Sequence, residues 1–142
     1  QPEMIYEHVP KARIVGLPWL ALEAYPLGLK NIDIGCCPLG DEPFNRAKTY
    51  IKALEYAASG AAVVASPTVY GQVIEHGGDG FIAETADEWD AALSGLVESS
   101  LSRQRTARAL YRKVKRMHDL KSNAWRWIAA WDEIIGSFRD GR

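Results

Sequence analysis

The stretch that decides the fold is Lys52-Ala-Leu-Glu-Tyr-Ala-Ala-Ser-Gly60-Ala-Ala-Val-Val-Ala-Ser66. The first half of this stretch belongs to a longer segment, from about residue 47 to 59, in which apolar residues recur at helical spacing. Gly60 stands where a left-handed C-terminal helix cap is expected. The second half is a short continuous apolar run, which is typical of a strand covered on both faces. The stretch therefore predicts a helix that leads directly into a buried strand.

The same alternation extends to both sides of this stretch. Further strands are predicted at Arg13–Leu17, Ile32–Leu39 and Phe81–Ala83. Helices are predicted at about 20–29, broken by Pro26, at about 69–75, and after the capping box Thr85-Ala-Asp-Glu88. Strands alternating with helices indicate an α/β fold: a Rossmann-like parallel sheet with right-handed crossovers and helices on both faces.

Only helices are predicted after about residue 98. The segment from Leu101 to His118 has one apolar stripe, at Ala107, Leu110, Val114 and Met117. A last helix, capped by Ser122, repeats Trp127, Trp131, Ile134, Ile135 and Phe138 at three- and four-residue spacing. We therefore expect an α/β domain over residues 1–98 and two C-terminal helices over 99–142 that pack on the same domain. Trp89, Trp127 and Trp131 are expected on buried helix faces.

Composition excludes several classes of protein. The chain has 142 residues, 47% of them hydrophobic and 25% charged, which is ordinary for one soluble globular domain. No apolar run is long enough to span a bilayer, so a cytoplasmic location is expected. The neighbours Cys36 and Cys37 and three scattered histidines give neither a disulfide framework nor a metal site. Because the chain starts at Gln1 rather than Met, we expect the natural protein to extend upstream.

Ligands of open α/β sheets bind beyond the carboxyl ends of the strands, which here points to the loop from Gly40 to Lys48. The predicted helix start, comprising Lys48, Thr49, Tyr50 and Ile51, offers unbonded backbone N–H groups and the positive end of a helix dipole. Asn45, Arg46 and Lys48 add hydrogen-bond donors and positive charge. These features predict a site for a pyrophosphate group.

Glu55 is the candidate acceptor for ribose hydroxyls, since it lies further along the same predicted helix. The alternative from spacing alone is that Glu55 is a solvent-facing residue of an amphipathic helix. The spacing does not decide between these two interpretations.

Four segments in order resemble the C-terminal donor-binding domain of retaining GT-B glycosyltransferases. They are Asp33–Leu39, Pro43–Lys48, Lys52–Ser66 and Ile74–Ile82, and the resemblance covers about residues 13–98. It implies that Glu55 holds the nucleotide ribose, that residues 45–51 hold the diphosphate and sugar, and that a hexosyl group is transferred with retention. A nucleotide-diphosphate sugar would be the donor, without a metal ion, and the acceptor is unknown.

The resemblance also implies missing parts and departures. A complete donor domain begins with two further strand and helix units, so this chain would lack the middle of its sheet and be inactive alone. The exposed sheet edge would favour a homo-oligomer. Ala47 and Gln72 stand where the family commonly has glutamates. These departures favour an alternative, a non-catalytic nucleotide-binding or assembly domain of the same fold.

A basic helix forms the last candidate site. Its Lys and Arg residues are Arg103, Arg105, Arg108, Arg112, Lys113, Lys115 and Arg116. A solvated surface explains such a helix, and contact with nucleic acid or an anionic membrane is the alternative.

Overall fold

A computed structural model describes residues 13, 15, 16 and 18–139 of the chain. The helices are α1 (Tyr25–Leu29), α2 (Pro43–Arg46), α3 (Ile51–Ser59), α4 (Pro67–Tyr70), α5 (Ala86–Glu98), α6 (Ser100–His118) and α7 (Leu120–Arg139). The strands are β1 (Ile34–Cys37), β2 (Ala62–Ala65) and β3 (Phe81–Ile82). The predicted α/β class is confirmed.

The three strands form one parallel sheet in the order β1-β2-β3. Ile34 pairs with Ala62, and Val64 pairs with Phe81. All four residues of β2 are buried, as its continuous apolar sequence predicts for a central strand. Within the described ranges β1 pairs with β2 alone, so β1 is an edge strand there.

Helices cover both faces of the sheet. Val63 and Ala65 of β2 belong to one buried cluster, together with Ala53 and Ala57 of α3 and Leu110 and Val114 of α6. Ala62 and Val64 belong to a second cluster, with Ala92 and Leu96 of α5. Alternate residues of one strand therefore serve two separate cores, as the two-residue period of a strand requires.

Two glycines satisfy specific geometric needs of α3. Gly60 has a φ of 90° and donates its N–H to the carbonyl oxygen of Ala57 at 3.1 Å, which confirms the predicted left-handed cap. Gly35 of β1 is buried beneath α3, and a Cβ atom built on it would lie 2.3 Å from Cγ of Tyr56. The close approach of β1 and α3 therefore requires a residue without a side chain at position 35.

An ion pair fastens the turn before β3 to α6. The carboxylate of Asp79, which is only 5% exposed, accepts the backbone N–H of Glu75 at 2.7 Å and pairs with the ammonium of Lys113. Lys113 also donates to the carbonyl oxygen of Val73 at 3.0 Å. Lys113, which belongs to the predicted basic helix, therefore has a structural role.

The start of α5 agrees with its sequence. Thr85 Oγ1 accepts the N–H of Glu88 at 3.3 Å, and the Glu88 carboxylate accepts the N–H of Thr85 at 3.0 Å. These reciprocal bonds confirm the predicted capping box. Trp89 packs against the second buried cluster, as expected from its spacing.

Several predicted element bounds are wrong. Ile14 and Leu17 of the first predicted strand lie outside the described residues, whereas Arg13, Val15 and Gly16 are exposed and not in a strand. Pro26 lies in the first turn of α1, where its fixed φ is tolerated, so it begins a helix and does not break one. The short helix expected at about 69–75 begins earlier, at Pro67, for the same reason, and it ends at Tyr70.

The C-terminal helices differ from prediction in their exposure. Ala107, Leu110 and Val114 are buried as predicted, but Met117 is exposed. Helix α7 begins two residues before Ser122, which is the predicted cap. Asp119 caps the helix instead, because its carboxylate accepts the backbone N–H of Ser122 at 2.8 Å.

The apolar stripe of α7 is exposed rather than buried. Trp127 and Trp131 are 67% and 61% exposed, and Ile134, Ile135 and Phe138 are exposed with them. Helical spacing predicts that a face is apolar, but it carries no information on whether another element covers that face. None of the described helices is both long enough and apolar enough to cross a membrane.

Candidate functional site

The loop from Gly40 to Lys48 leaves the carboxyl end of β1, where the sequence predicts it. The N–H of Leu39 donates to Ser66 Oγ at 2.8 Å, and Thr68 Oγ1 donates to the carbonyl oxygen of Leu39 at 3.1 Å. These bonds tie the start of the loop to the end of β2 and the beginning of α4. The loop itself is largely exposed, so its polar groups are accessible to a ligand.

Inside the loop the predicted cationic residues have different surroundings. Arg46 donates to both carboxylate oxygens of Asp41, at 2.7 and 2.6 Å, and this hydrogen bonding holds the pKa of Asp41 below its usual value. The ammonium of Lys48 lies 4.8 Å from the centre of the Phe44 ring. Among the described residues Lys48 takes part in no salt bridge, so its charge is not offset as the charge of Arg46 is.

Asn45 has a structural contact in the same loop. Its side-chain Nδ2 donates to the carbonyl oxygen of Gly40 at 3.1 Å, and its backbone carbonyl oxygen accepts the N–H of Lys48 at 3.1 Å. Both bonds close the loop on itself. The side-chain amide of Asn45 is thereby oriented by the loop.

Helix α3 begins at Ile51, later than the predicted start near residues 47–48. The reason is local: Pro43 begins the separate short helix α2, which ends at Arg46 before a turn leads into α3. The carbonyl oxygen of Tyr50 accepts the N–H groups of Ala53 and Leu54, at 3.0 and 3.4 Å. Within the described chain the backbone N–H groups of Ile51 and Lys52 donate to no other backbone group. Thr49 and Tyr50 precede the helix and do not belong to it.

Glu55 lies in a small network of polar side chains. Its Oε2 accepts the hydroxyl of Tyr25 at 2.9 Å and lies 3.3 Å from Nζ of Lys52. Lys52 Nζ donates to the Tyr25 hydroxyl at 2.8 Å, and this bond, followed by the pairing with Glu55, raises the pKa of Lys52. The Glu55 side chain is 29% exposed, so it is neither fully solvated nor enclosed.

Two hollows adjoin this network. A cavity of about 530 Å³ is lined by Tyr25 and Lys52 together with mostly apolar residues: Pro18, Trp19, Leu20, Leu22, Gly28 and Leu29. A groove of about 540 Å³ runs between α3 and α6 and is lined by Glu55, Leu54, Tyr111, Val114 and His118, among others. Glu55 and its partners therefore lie between two accessible concave surfaces.

The predicted site residues fall into two groups. Asn45, Arg46 and Lys48 contact other residues of their own loop, whereas Glu55 contacts α1 and its own helix. Sequence reasoning missed Lys52 and Tyr25 as partners of Glu55. Lys52 could have been found, because opposite charges three residues apart on a helix are neighbours. Tyr25 carries no such signal, since it belongs to another element 30 residues earlier.

Residues 6–99 match the sequence model of a family described as "Glycosyl transferases group 1", which is more than half of the chain. The chain belongs to the group 1 glycosyltransferases. This family membership confirms the resemblance drawn from the motifs. No curated protein matches this glycosyltransferase chain.

The fold of this glycosyltransferase chain is also that of a solved domain. It is similar to the crystal structure of the C-terminal domain of a glycosyl transferase group 1 family protein, LpcC from Francisella tularensis. The TM-score is 0.66 at 22% sequence identity, over 82% of this chain and 60% of that domain. The expected GT-B C-terminal, Rossmann-like fold is thereby confirmed. This chain spans about 60% of the length of that domain.

Proposed function

We propose that the chain is the donor-binding part of a glycosyltransferase that uses a nucleotide-diphosphate sugar and transfers a hexosyl group with retention. The observation that carries the proposal is the carboxylate of Glu55, held in place by Tyr25 and Lys52 in a group 1 glycosyltransferase chain. A carboxylate accepts hydrogen bonds only, which suits the two hydroxyls of a ribose.

The diphosphate of the donor would bind at the start of α3. The N–H groups of Ile51 and Lys52, which donate to no other backbone group in the described part of the chain, and the helix dipole favour an anion there. Lys48 adds positive charge, and Asn45 and Arg46 add hydrogen-bond donors from the loop. In this proposal these groups, rather than a metal ion, stabilise the negative charge of the leaving diphosphate.

The nucleobase would occupy the cavity beside Tyr25 and Lys52. Its volume lies within the range of small-molecule sites, and its lining is mainly apolar with an exposed tryptophan, Trp19. A planar aromatic base fits such a lining better than a sugar does, because a sugar would leave its hydroxyls unpaired against apolar side chains.

Isothermal titration calorimetry of the chain with uridine diphosphate and with guanosine diphosphate tests the proposal. We expect binding of at least one of them, and we expect Glu55→Gln to weaken it about 10- to 100-fold, the equivalent of one hydrogen bond to a charged group. Glu133→Gln, an exposed glutamate on α7, is the matched control and should bind as the unaltered chain does. Equal affinities of the Glu55→Gln and Glu133→Gln variants would refute the ribose role.

The two cations of the loop should differ in their effect on binding. Lys48→Met removes a charge that no described carboxylate offsets, whereas Arg46→Met removes one already paired with Asp41. We expect Lys48→Met to weaken nucleoside diphosphate binding several-fold, by about 1 kcal/mol, and Arg46→Met to change it less. Affinities measured at low and high salt check this, because the loss in Lys48→Met should shrink as salt rises. An equal loss in both variants would contradict the assigned difference.

One observation favours a second candidate, a domain that binds nucleotide without transferring sugar. Ala47, at the end of α2, and Gln72 stand where the family resemblance implies glutamates, and neither can supply a carboxylate to the donor sugar. Comparing a nucleoside diphosphate with its sugar conjugate separates the two candidates. Tighter binding of the conjugate favours the transferase, and equal binding favours the non-catalytic domain.

A further inference from the structure

We propose that Tyr25 and Lys52 are positioning residues that hold one oxygen of the Glu55 carboxylate and leave the other for the donor ribose. The inference rests on the proposed function and assigns it two further residues. Neither residue needs to touch the ribose, because both act through Glu55.

The hydrogen bonds of the network have one possible direction. The Tyr25 hydroxyl has a single proton, and an ionised carboxylate can only accept, so Tyr25 donates to Glu55 Oε2. The Tyr25 oxygen in turn accepts a proton of the Lys52 ammonium at 2.8 Å. Lys52, Tyr25 and Glu55 therefore form a chain that polarises each bond toward the carboxylate.

Both partners converge on the same oxygen of Glu55. Tyr25 Oη lies 2.9 Å from Oε2, and Lys52 Nζ lies 3.3 Å from it. Among the described residues Oε1 has no protein partner. The network thus fixes the carboxylate while keeping acceptor capacity for a ligand.

The position of Tyr25 depends on the packing of α1 against α3. Lys52 and Glu55 lie on α3, whereas Tyr25 is the first residue of α1 and is followed by Pro26, which limits the backbone there. Holding a carboxylate in place before the ligand arrives lowers the entropic cost of ordering that side chain on binding. The resulting gain in affinity should therefore appear only for ligands that bind to Glu55.

The test compares a nucleoside diphosphate with its 2′,3′-dideoxy analogue, which lacks the ribose hydroxyls. We expect the unaltered chain to prefer the ribose form by about 10-fold or more, and Glu55→Gln to abolish the preference. Tyr25→Phe and Lys52→Met should each reduce the preference several-fold, and Lys52→Arg should retain most of it. Thermal unfolding of each variant identifies any general loss of structure.

The outcomes separate the two proposals. If Tyr25→Phe and Lys52→Met weaken both ligands equally, or leave the preference unchanged, while Glu55→Gln abolishes it, the positioning role is wrong and the proposed function stands. If Glu55→Gln keeps the preference, or the unaltered chain binds neither ligand, the proposed function fails and the positioning role fails with it.

Discussion

Replacing Lys113 with methionine should lower the free energy of unfolding by about 3–5 kcal/mol, the range for removing one partner of a buried ion pair. The Asp79 side chain is 7% exposed, and Lys113 is the residue that pairs with it. Without the ammonium, a buried carboxylate would keep, among the described residues, only the N–H of Glu75 as a hydrogen-bond donor. The carbonyl oxygen of Val73 would lose its bond to Lys113 at the same time.

Urea denaturation followed by circular dichroism measures this loss. Lys115→Met is the matched control, because Lys115 lies two residues further along α6 and is exposed; its effect should stay within about 0.5 kcal/mol. Combining Lys113→Met with Asp79→Asn removes both charges, and the double variant should be more stable than the sum of the single losses predicts. A Lys113→Met variant as stable as Lys115→Met would show that the ion pair does not anchor the turn.

Gly35→Ala should destabilise the protein by about 3 kcal/mol, at the upper end of the usual cost of overpacking a core. The added Cβ atom would lie 2.3 to 2.8 Å from three ring carbons of Tyr56. Because β1 is paired with β2 and α3 is packed on the sheet, neither backbone can move away freely. The ring of Tyr56 would have to shift, and its contacts with the buried cluster would be lost.

A double-mutant cycle identifies the cause of this loss. In a Tyr56→Ala background, Gly35→Ala should cost less than about 1 kcal/mol, because the clashing ring is gone. Gly95→Ala is the control for the substitution itself: Gly95 lies in the last turn of α5 and its added Cβ would meet nothing within 4 Å, so the substitution should be neutral or stabilising. If Gly35→Ala were as harmless as Gly95→Ala, the close packing of β1 and α3 would be refuted.

The elements that sequence predicted best are those with a strong local signal. The apolar run of β2, the glycine cap of α3 and the capping box of α5 all appear where expected. Each is encoded by residues close together in the sequence. A continuous apolar run indicates a strand buried on both faces, and a cap residue bonds the residue three positions ahead. The family resemblance followed from the order of four segments, one of which contains the glycine cap of α3 and the strand β2.

The remaining features depend on contacts between distant residues. The hydroxyl of Tyr25, on another helix, donates a hydrogen bond to Glu55, and no local sequence pattern predicts that bond. The exposure of Trp127 and Trp131 depends on what lies beside α7, which helical spacing does not encode. Helix α3 begins at Ile51, later than the predicted start near residue 47, because a turn separates it from the short helix α2 that Pro43 begins.

The central claim is that Glu55 and the start of α3 bind the two ends of one ligand, the ribose and the diphosphate. A crystal structure of the chain with a bound nucleoside diphosphate tests it most directly. We expect a ribose hydroxyl within hydrogen-bond distance of Glu55 Oε1 and a phosphate at the N–H groups of Ile51 and Lys52. A nucleotide bound elsewhere, with Glu55 still contacting only Tyr25 and Lys52, would contradict the account.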